Sequence, residues 1–191
     1  MAHVSIIGTG NMGQAIAAIA GRGGNSVELI GSAGTEQQVT GDVVVLAVPN
    51  PAVAQVLQSR GESFAGKVVV DFANPLDFST FDSLTVPADS SAAAEIAAAL
   101  PQSRVLKAFN TNFAATLAAG TVGPVATTVL IAGDDADAKS TLTDIVTSGG
   151  LNATDAGALS RARELEALGF LQLTLAVAEK VSWTGGFGVV A

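Results

Sequence analysis

A chain of 191 residues, 49% hydrophobic and 14% charged, can bury one substantial core and fold alone. Nine Lys and Arg against 17 Asp and Glu leave a net charge of -8, which excludes the basic footprint of a nucleic-acid or anionic-membrane binder and points to small ligands. The absence of cysteine excludes disulfides, thiolate metal sites and a cysteine nucleophile.

The first residues run straight into an apolar strand, and no apolar stretch approaches the roughly 18 residues that span a bilayer. A cytoplasmic protein is expected. Strands and helices then alternate along the chain. "AHVSIIG" is an apolar strand ending in glycine, and "MGQAIAAIAGR" follows with apolar residues at helical spacing. "SVELIG" and "GDVVVLAVP" read as the second and third strands, the latter too uniformly apolar to be exposed on either face. Only residues 32–41 separate them, close to the minimum for a crossover, so a loop or single helical turn is expected there.

"NPAVAQVLQSR" makes a helix with Pro51 in its first turn, and "GKVVVDFANP" the fourth strand. "SSAAAEIAAAL" is a helix that Asp89, Ser90 or Ser91 can cap and Pro101 stops, and "RVLKAFN" is the fifth strand. "TTVLIAG" predicts a sixth strand, "DDADAKSTLTDIVTSGG" a helix, "LNATDAG" a short strand and "LSRARELEALGFLQLTLAVAEKV" a long closing helix. The sum is a Rossmann-like α/β fold, a doubly wound, mostly parallel sheet over residues 1–155, with a C-terminal helical extension over 156–191 packed on the same domain or on a dimer partner.

Between the first strand and helix stands Gly8-Thr9-Gly10-Asn11-Met12-Gly13. In this pattern the first glycine permits a tight turn, the second lets backbone approach a pyrophosphate, and the third allows close helix packing. The N–H groups opening the helix then face the phosphates, where the helix dipole favours negative charge. Alone the motif is weak; at a strand-to-helix turn heading an alternating pattern it predicts dinucleotide binding. After the second strand the sequence reads Gly31-Ser32-Ala33-Gly34-Thr35. A carboxylate there would bind the ribose of NAD. Its absence favours NADP over NAD, with Ser32 and Thr35 as hydroxyl donors to the 2′-phosphate, although no Lys or Arg occurs from Gly23 to Ser59. Glu28 lies inside the strand and reads as a solvated or locally paired side chain.

With "IIGTGNMGQAI", the "GS" after the second strand, "LAVP", "KAFNT", and "AGDDADAK" followed by "DAGALSRARELEAL", nearly the whole chain resembles the deazaflavin-dependent NADP reductase family. That resemblance implies an oxidoreductase passing hydride between NADP(H) and a separately bound deazaflavin. Related domains with a similar "AFNT", in membrane metalloreductases, use flavin instead. It also implies roles: Thr9, Asn11 and Met12 along the diphosphate, Ser32 near the 2′-phosphate, Ala47-Val48-Pro49 and Asn74-Pro75 bordering ribose and nicotinamide, and Phe109-Asn110-Thr111 facing the acceptor. Many members carry a basic residue after the "GS", where this chain has Ala33. The start of the chain also resembles pyrroline-carboxylate reductase, an imine reductase, but the tail after Asp155 is too short for that enzyme's helical dimerisation domain. A third reading, a non-catalytic NADP(H) sensor, needs the same glycine loop.

Hydride transfer between flat heterocycles requires no protein nucleophile or metal, and no catalytic or metal-ligating residue is assigned. His3, the single histidine, starts the first strand, far from the strand ends where ligands bind. Asp134, Asp135 and Asp137 open a predicted helix and read as capping carboxylates rather than metal ligands. Arg161, Arg163, Glu164 and Glu166 read as a charged helix face, with subunit contact or an anionic acceptor as the other role. The stretch 74–88, long for a loop, is expected to lie over the nicotinamide. The closing helix carries Leu165, Leu168, Leu171, Leu175 and Val177, with Phe170 and Leu173 beside them, more apolar surface than one side buries; a homodimer through this helix and the Trp183 tail is expected.

Overall fold

Four strands rich in Val, Ile and Leu, interrupted by Ser5, Asp71 and Lys107, dictate the centre of the protein. In the computed structural model, which describes residues 1–31 and 37–190, these are β1 (His3–Ile7), β3 (Val43–Leu46), β4 (Val68–Asp71) and β5 (Arg104–Ala108). β3 and β4 are buried at every residue, as expected of parallel strands covered on both faces. β2 (Ser26–Ile30) lies outside β1 and is less buried. With β8 (Thr128–Gly133) and β9 (Asn152–Gly157) these make a seven-stranded sheet in the order β2-β1-β3-β4-β5-β8-β9.

The strand period of two divides the core. On one face Val4, Ile6, Val43, Val45, Val68 and Val70 pack against α1 (Asn11–Arg22) and α5 (Ala136–Ser148), through Ile16, Ile19, Leu142 and Ile145. On the other, Ile7, Val44, Leu46, Val69 and Val105 meet α2 (Asn50–Arg60) and α3 (Ala92–Ala99), through Val53 and Ile96. Each such side chain removed from water contributes about 1.5 to 3 kcal/mol, which commits every strand to its register.

β1 to β5 run parallel, but β8 pairs antiparallel with β5, Ala108 opposite Ile131, and β9 then runs parallel to β8. β9 therefore ends at the opposite edge from the carboxyl ends of β1 to β5. Through a 3-10 turn at Leu159–Arg161 the chain enters α6 (Ala162–Val177), which climbs back towards those carboxyl ends. The reversal is made by elements that the sequence reading did not foresee: α4 (Ala114–Ala119) and the two-residue strands β6 (Thr121–Val122) and β7 (Val125–Ala126). Ser91 is the cap of α3, its Oγ accepting from the Ala94 N–H at 3.1 Å. Of the short crossover, residues 37–42 are irregular. No helix among the described residues is long and apolar enough to cross a membrane.

Candidate functional site

The glycine loop makes the tight strand-to-helix turn that its spacing predicts. Gly8 has φ +118, and a Cβ on it would collide with the Ala47 carbonyl; a Cβ on Gly13 would collide with the Gly8 carbonyl; Gly10 faces open space. The first and third glycines are thus demanded by packing, and the second leaves the backbone bare. α1 starts at Asn11 after Gly10, with no side-chain cap and no acidic residue in its first turn, leaving its first N–H groups for an anion. α5, by contrast, is capped by a carboxylate: Asp135 Oδ1 accepts from the Ala138 N–H at 2.7 Å.

A cavity of about 580 Å³ opens at the carboxyl ends of the parallel strands, a common size for a small-molecule site. Gly10, Asn11 and Met12 form one side, Ala47 to Asn50 and Phe72 to Asn74 the floor, and Asn110, Asn112 and Phe113 the far side. Phe78, Leu173 and Trp183 complete the wall. A second cavity of about 360 Å³ shares Gly10, Ala47, Val48 and Pro49 with the first and extends to Gly8, Thr9 and Gly31. The two form one trough crossing the glycine loop, the shape that a dinucleotide requires. Ser32, Ala33 and Thr35 lie outside the described residues.

The far side is built by an amide pair. Asn110 Nδ2 donates to Asn74 Oδ1 and Asn74 Nδ2 donates to the Asn110 carbonyl, each at 2.9 Å, while Asn110 Nδ2 also donates to the Leu165 carbonyl at 2.8 Å. α6 comes this close because residue 169 is glycine: a Cβ there would strike Asn74 Oδ1. Asn110 Oδ1 and Asn112 Oδ1 are buried and accept no hydrogen bond within the protein. Buried acceptors left in this state cost stability unless a ligand or water donates to them, so the residues present suit a bound group carrying N–H donors.

Three residues expected at the site lie elsewhere. Phe109 adopts φ +66 and is 1% exposed, its side chain in the core rather than on the cavity wall. That turn, closed by the Asn112 N–H on the Phe109 carbonyl at 3.0 Å, sends Phe109 inwards and frees Asn110 for the cavity. Thr111 is buried, its carbonyl accepting from Gln172 Nε2 at 3.2 Å. Pro75 is buried too, with its carbonyl accepting from Thr85. The apolar wall falls instead to Phe113 and Trp183, whose ring centroids are 4.9 Å apart. Nothing in "FNTNF" distinguishes an inward from an outward aromatic; only the left-handed residue decides it.

Glu166 departs furthest from the expected charged helix face. It is fully buried, 2.9 Å from Lys107 Nζ, which is also 2.7 Å from Asp71 Oδ2 and donates to the Ala73 carbonyl. The N–H groups of Ala92 and Ala93, at the start of α3, donate to the Glu166 carboxylate. Burial raises its pKa from the ordinary 4.5, against the Lys107 ammonium and these bonds, which pull it down. Its neighbours do form an exposed face: Arg161 and Glu164 pair at 3.7 Å, both largely in water.

The remaining polar residues do structural work. For Glu28, burial raises the pKa, but hydrogen bonds from the Ser5 hydroxyl and from the N–H and hydroxyl of Thr40 outweigh it, and the net direction is down. Asp134 Oδ1 accepts from the Leu159 N–H at 2.9 Å. Among the described residues no group of three or more His, Cys, Asp or Glu is placed to hold a metal.

No protein-family model matches the chain. The F420-dependent NADP reductase of Methanocaldococcus jannaschii is 30% identical over 166 residues, covering 85% of this chain and 74% of the relative. The F420-dependent NADP reductase of Methanothermobacter marburgensis is 30% identical over 167 residues, covering 84% and 74%. The crystal structure of a proposed F420-dependent NADP reductase from Arthrobacter sp. FB24 superposes over all of both chains with a TM-score of 0.85 at 24% identity, which shows the shared fold. By its similarity to the two curated relatives, the chain belongs to the F420-dependent NADP reductase family.

Proposed function

We propose that this protein transfers hydride between NADP(H) and a separately bound deazaflavin of the F420 type, with flavin as the alternative acceptor. The observation that carries the reading is the composition of the larger cavity. Among the described residues on its wall there is no Asp, Glu, His, Lys, Arg, Ser or Thr, only amides, aliphatic and aromatic side chains, Met and backbone. A carbonyl or imine reductase needs a proton donor beside the reacting atom; this wall offers none. When bound, the two cofactors supply the chemistry themselves, a hydride passing between their rings and a proton exchanged with water.

The chain's own part is geometry. Gly8, Gly10 and the first turn of α1 hold the pyrophosphate, and Ala47, Val48 and Pro49 support the adjoining ribose. Asn110 and Asn112, which line this end of the cavity and hold the two unpartnered amide oxygens, would be the acceptors nearest the carboxamide of the nicotinamide. Phe78, Phe113, Leu173 and Trp183 keep water from the ring faces, which must approach to roughly 3 to 3.5 Å.

Stopped-flow mixing of NADPH with a deazaflavin, FMN or FAD tests this directly. Rapid oxidation of NADPH by the deazaflavin is the expected result. Failure with all three acceptors alongside brisk reduction of an imine or aldehyde would overturn it.

With this function we propose a cytoplasmic homodimer. Leu171 and Val177 on α6 are 48% and 47% exposed, and Trp183 and Phe187 in the tail are 52% and 40% exposed. A second copy of the same helix and tail, related by a two-fold axis, would cover them.

A further inference from the structure

Residues 74–91 leave the floor of the larger cavity after β4, place Phe78 on its wall and return at α3. Both roots of this segment rest on one buried charge cluster. Before it, each peptide group of Ala73 is held: the N–H donates to Asp71 Oδ1 at 2.9 Å, and the carbonyl accepts from Lys107 Nζ. After it, the N–H groups of Ala92 and Ala93 donate to Glu166 Oε2 and Oε1 at 3.0 and 3.3 Å. Lys107 Nζ joins the two ends, 2.7 Å from Asp71 Oδ2 and 2.9 Å from Glu166 Oε1. None of the three side chains exposes any surface. The same stretch of α6 meets the amide pair, through the Leu165 carbonyl on Asn110 Nδ2 and through Gly169 against Asn74.

We propose that Lys107, Asp71 and Glu166 are positioning residues for the hydride transfer, an anchor that fixes Ala73 and Asn74 on the cavity floor and both roots of the segment carrying Phe78 against α6. The inference rests on the hydride-transfer reading above. Three buried ionisable groups are a poor means to stability, since apolar residues of similar volume often serve as well or better. What they impose is a single geometry, because each group finds its partners in one arrangement and loses them in any other. The chemistry is what demands that arrangement. Among the described residues the larger cavity offers no acid or base, so the rate depends on how closely two rings are held, and a misplacement of about 1 Å can cost roughly a hundredfold.

Glu166→Gln keeps the side chain's length and one acceptor oxygen, and Leu142→Ala is the control, since Leu142 is buried on α5 and lines neither the cavity nor the cluster. In single-turnover mixing of NADPH with a deazaflavin, well below the melting temperature, Glu166→Gln should slow hydride transfer about tenfold or more. Its NADP+ affinity by calorimetry should stay within about threefold, because the glycine loop that holds the pyrophosphate is intact. Leu142→Ala should lower the melting temperature and leave the rate within about twofold. Hydrogen exchange adds a reading that requires no variant to fold: in the unmodified protein the amides of Ala73, Ala92 and Ala93 should exchange through one shared opening, with the same dependence on urea. In Glu166→Gln all three should exchange faster, although the Ala73 N–H is bound to Asp71 and not to Glu166. An unchanged rate in Glu166→Gln, an equal slowing in Leu142→Ala, or three amides that open separately overturns the proposal. If the unmodified protein oxidises NADPH with neither deazaflavin nor flavin, the hydride-transfer reading falls with the rate prediction, and the exchange measurement still decides whether the cluster anchors the floor and the segment.

Discussion

Lys107 Nζ lies 2.7 Å from Asp71 Oδ2, and neither side chain exposes any surface. The same ammonium reaches Glu166 at 2.9 Å, so one cation joins β4, β5 and α6. Two carboxylates share it, and the excess negative charge is met by backbone N–H groups: Ala73 on Asp71, and Ala92 and Ala93 on Glu166. Lys107→Met would strand two buried carboxylates, which costs about 3 to 5 kcal/mol. Urea denaturation should show a loss of that size; a loss below about 1 kcal/mol would mean that the network contributes nothing to holding α6 on the sheet.

The raised pKa of Glu166 gives stability a direction with pH. From 4.5 up to its higher folded value, the native protein binds the proton more firmly than the unfolded chain does. Stability from this group is complete below 4.5 and is lost as pH rises through the folded value. Glu166→Gln, which cannot titrate, should flatten that part of the stability profile, read as denaturation midpoints across the acid range. A variant profile parallel to the parent's would refute it.

Gly10 and Gly13 should separate binding from folding. Gly10→Ala places a methyl group in open space beside the loop, so the melting temperature should hold within a few degrees while NADP affinity falls about tenfold or more, roughly 1.4 kcal/mol. Gly13→Ala drives a methyl group into the Gly8 carbonyl and should lower stability as well as binding. Thermal melts paired with calorimetry decide, and a Gly10→Ala protein that binds normally would remove the loop from the site.

The segment 74–88 folds over the larger cavity through Phe78, which is half exposed and meets Phe81 edge-on with centroids 5.8 Å apart. Its start is tied down by the Asn74–Asn110 amide pair and the buried Leu76, and an isolated bridge between Leu76 and Leu84 closes it on itself, while 77–83 lie largely exposed. Hydrogen exchange in this segment should slow when NADP saturates the protein. Exchange unchanged at saturation would count against its role as a cover.

The homodimer predicts a mass of twice 18.9 kDa by analytical ultracentrifugation at micromolar concentration. Leu171→Glu should return the protein to the monomer without unfolding it, because that side chain is 48% exposed. A monomeric parent would refute the interface.

Much of this was legible in the sequence, for reasons that differ by element. Uniform valine runs could only be covered parallel strands, and β3 and β4 are that. The glycine loop announced its turn, because Gly8 and Gly13 each answer a separate steric demand while Gly10 faces open space. The site's far side was not legible, since Phe109, Asn110 and Thr111 are adjacent in sequence and one left-handed residue parts them. Glu166 was misread because "RARELEAL" shows a charge pattern but not the Lys107 that waits 59 positions earlier. β8 was legible as "TTVLIAG", but its antiparallel pairing depends on a short helix and a hairpin of two-residue strands, below the length at which periodicity speaks.

That one antiparallel step also sets the order in which the site can come into being. Because β9 ends at the far edge, α6 must travel up to the cavity, and Leu173 and Trp183 arrive opposite Gly10 and Met12. One wall of the cavity comes from Gly10 to Met12 and the opposing wall from Leu173 and Trp183, more than 160 residues later in the sequence. A nascent chain can close its glycine loop once β1, α1, β2 and β3 exist, since the Gly8 N–H donates to the Ile30 carbonyl at 2.8 Å and the Gly8 backbone packs on the Ala47 carbonyl. It holds no complete cavity wall until Trp183 has emerged, so partly made copies would carry an open trough.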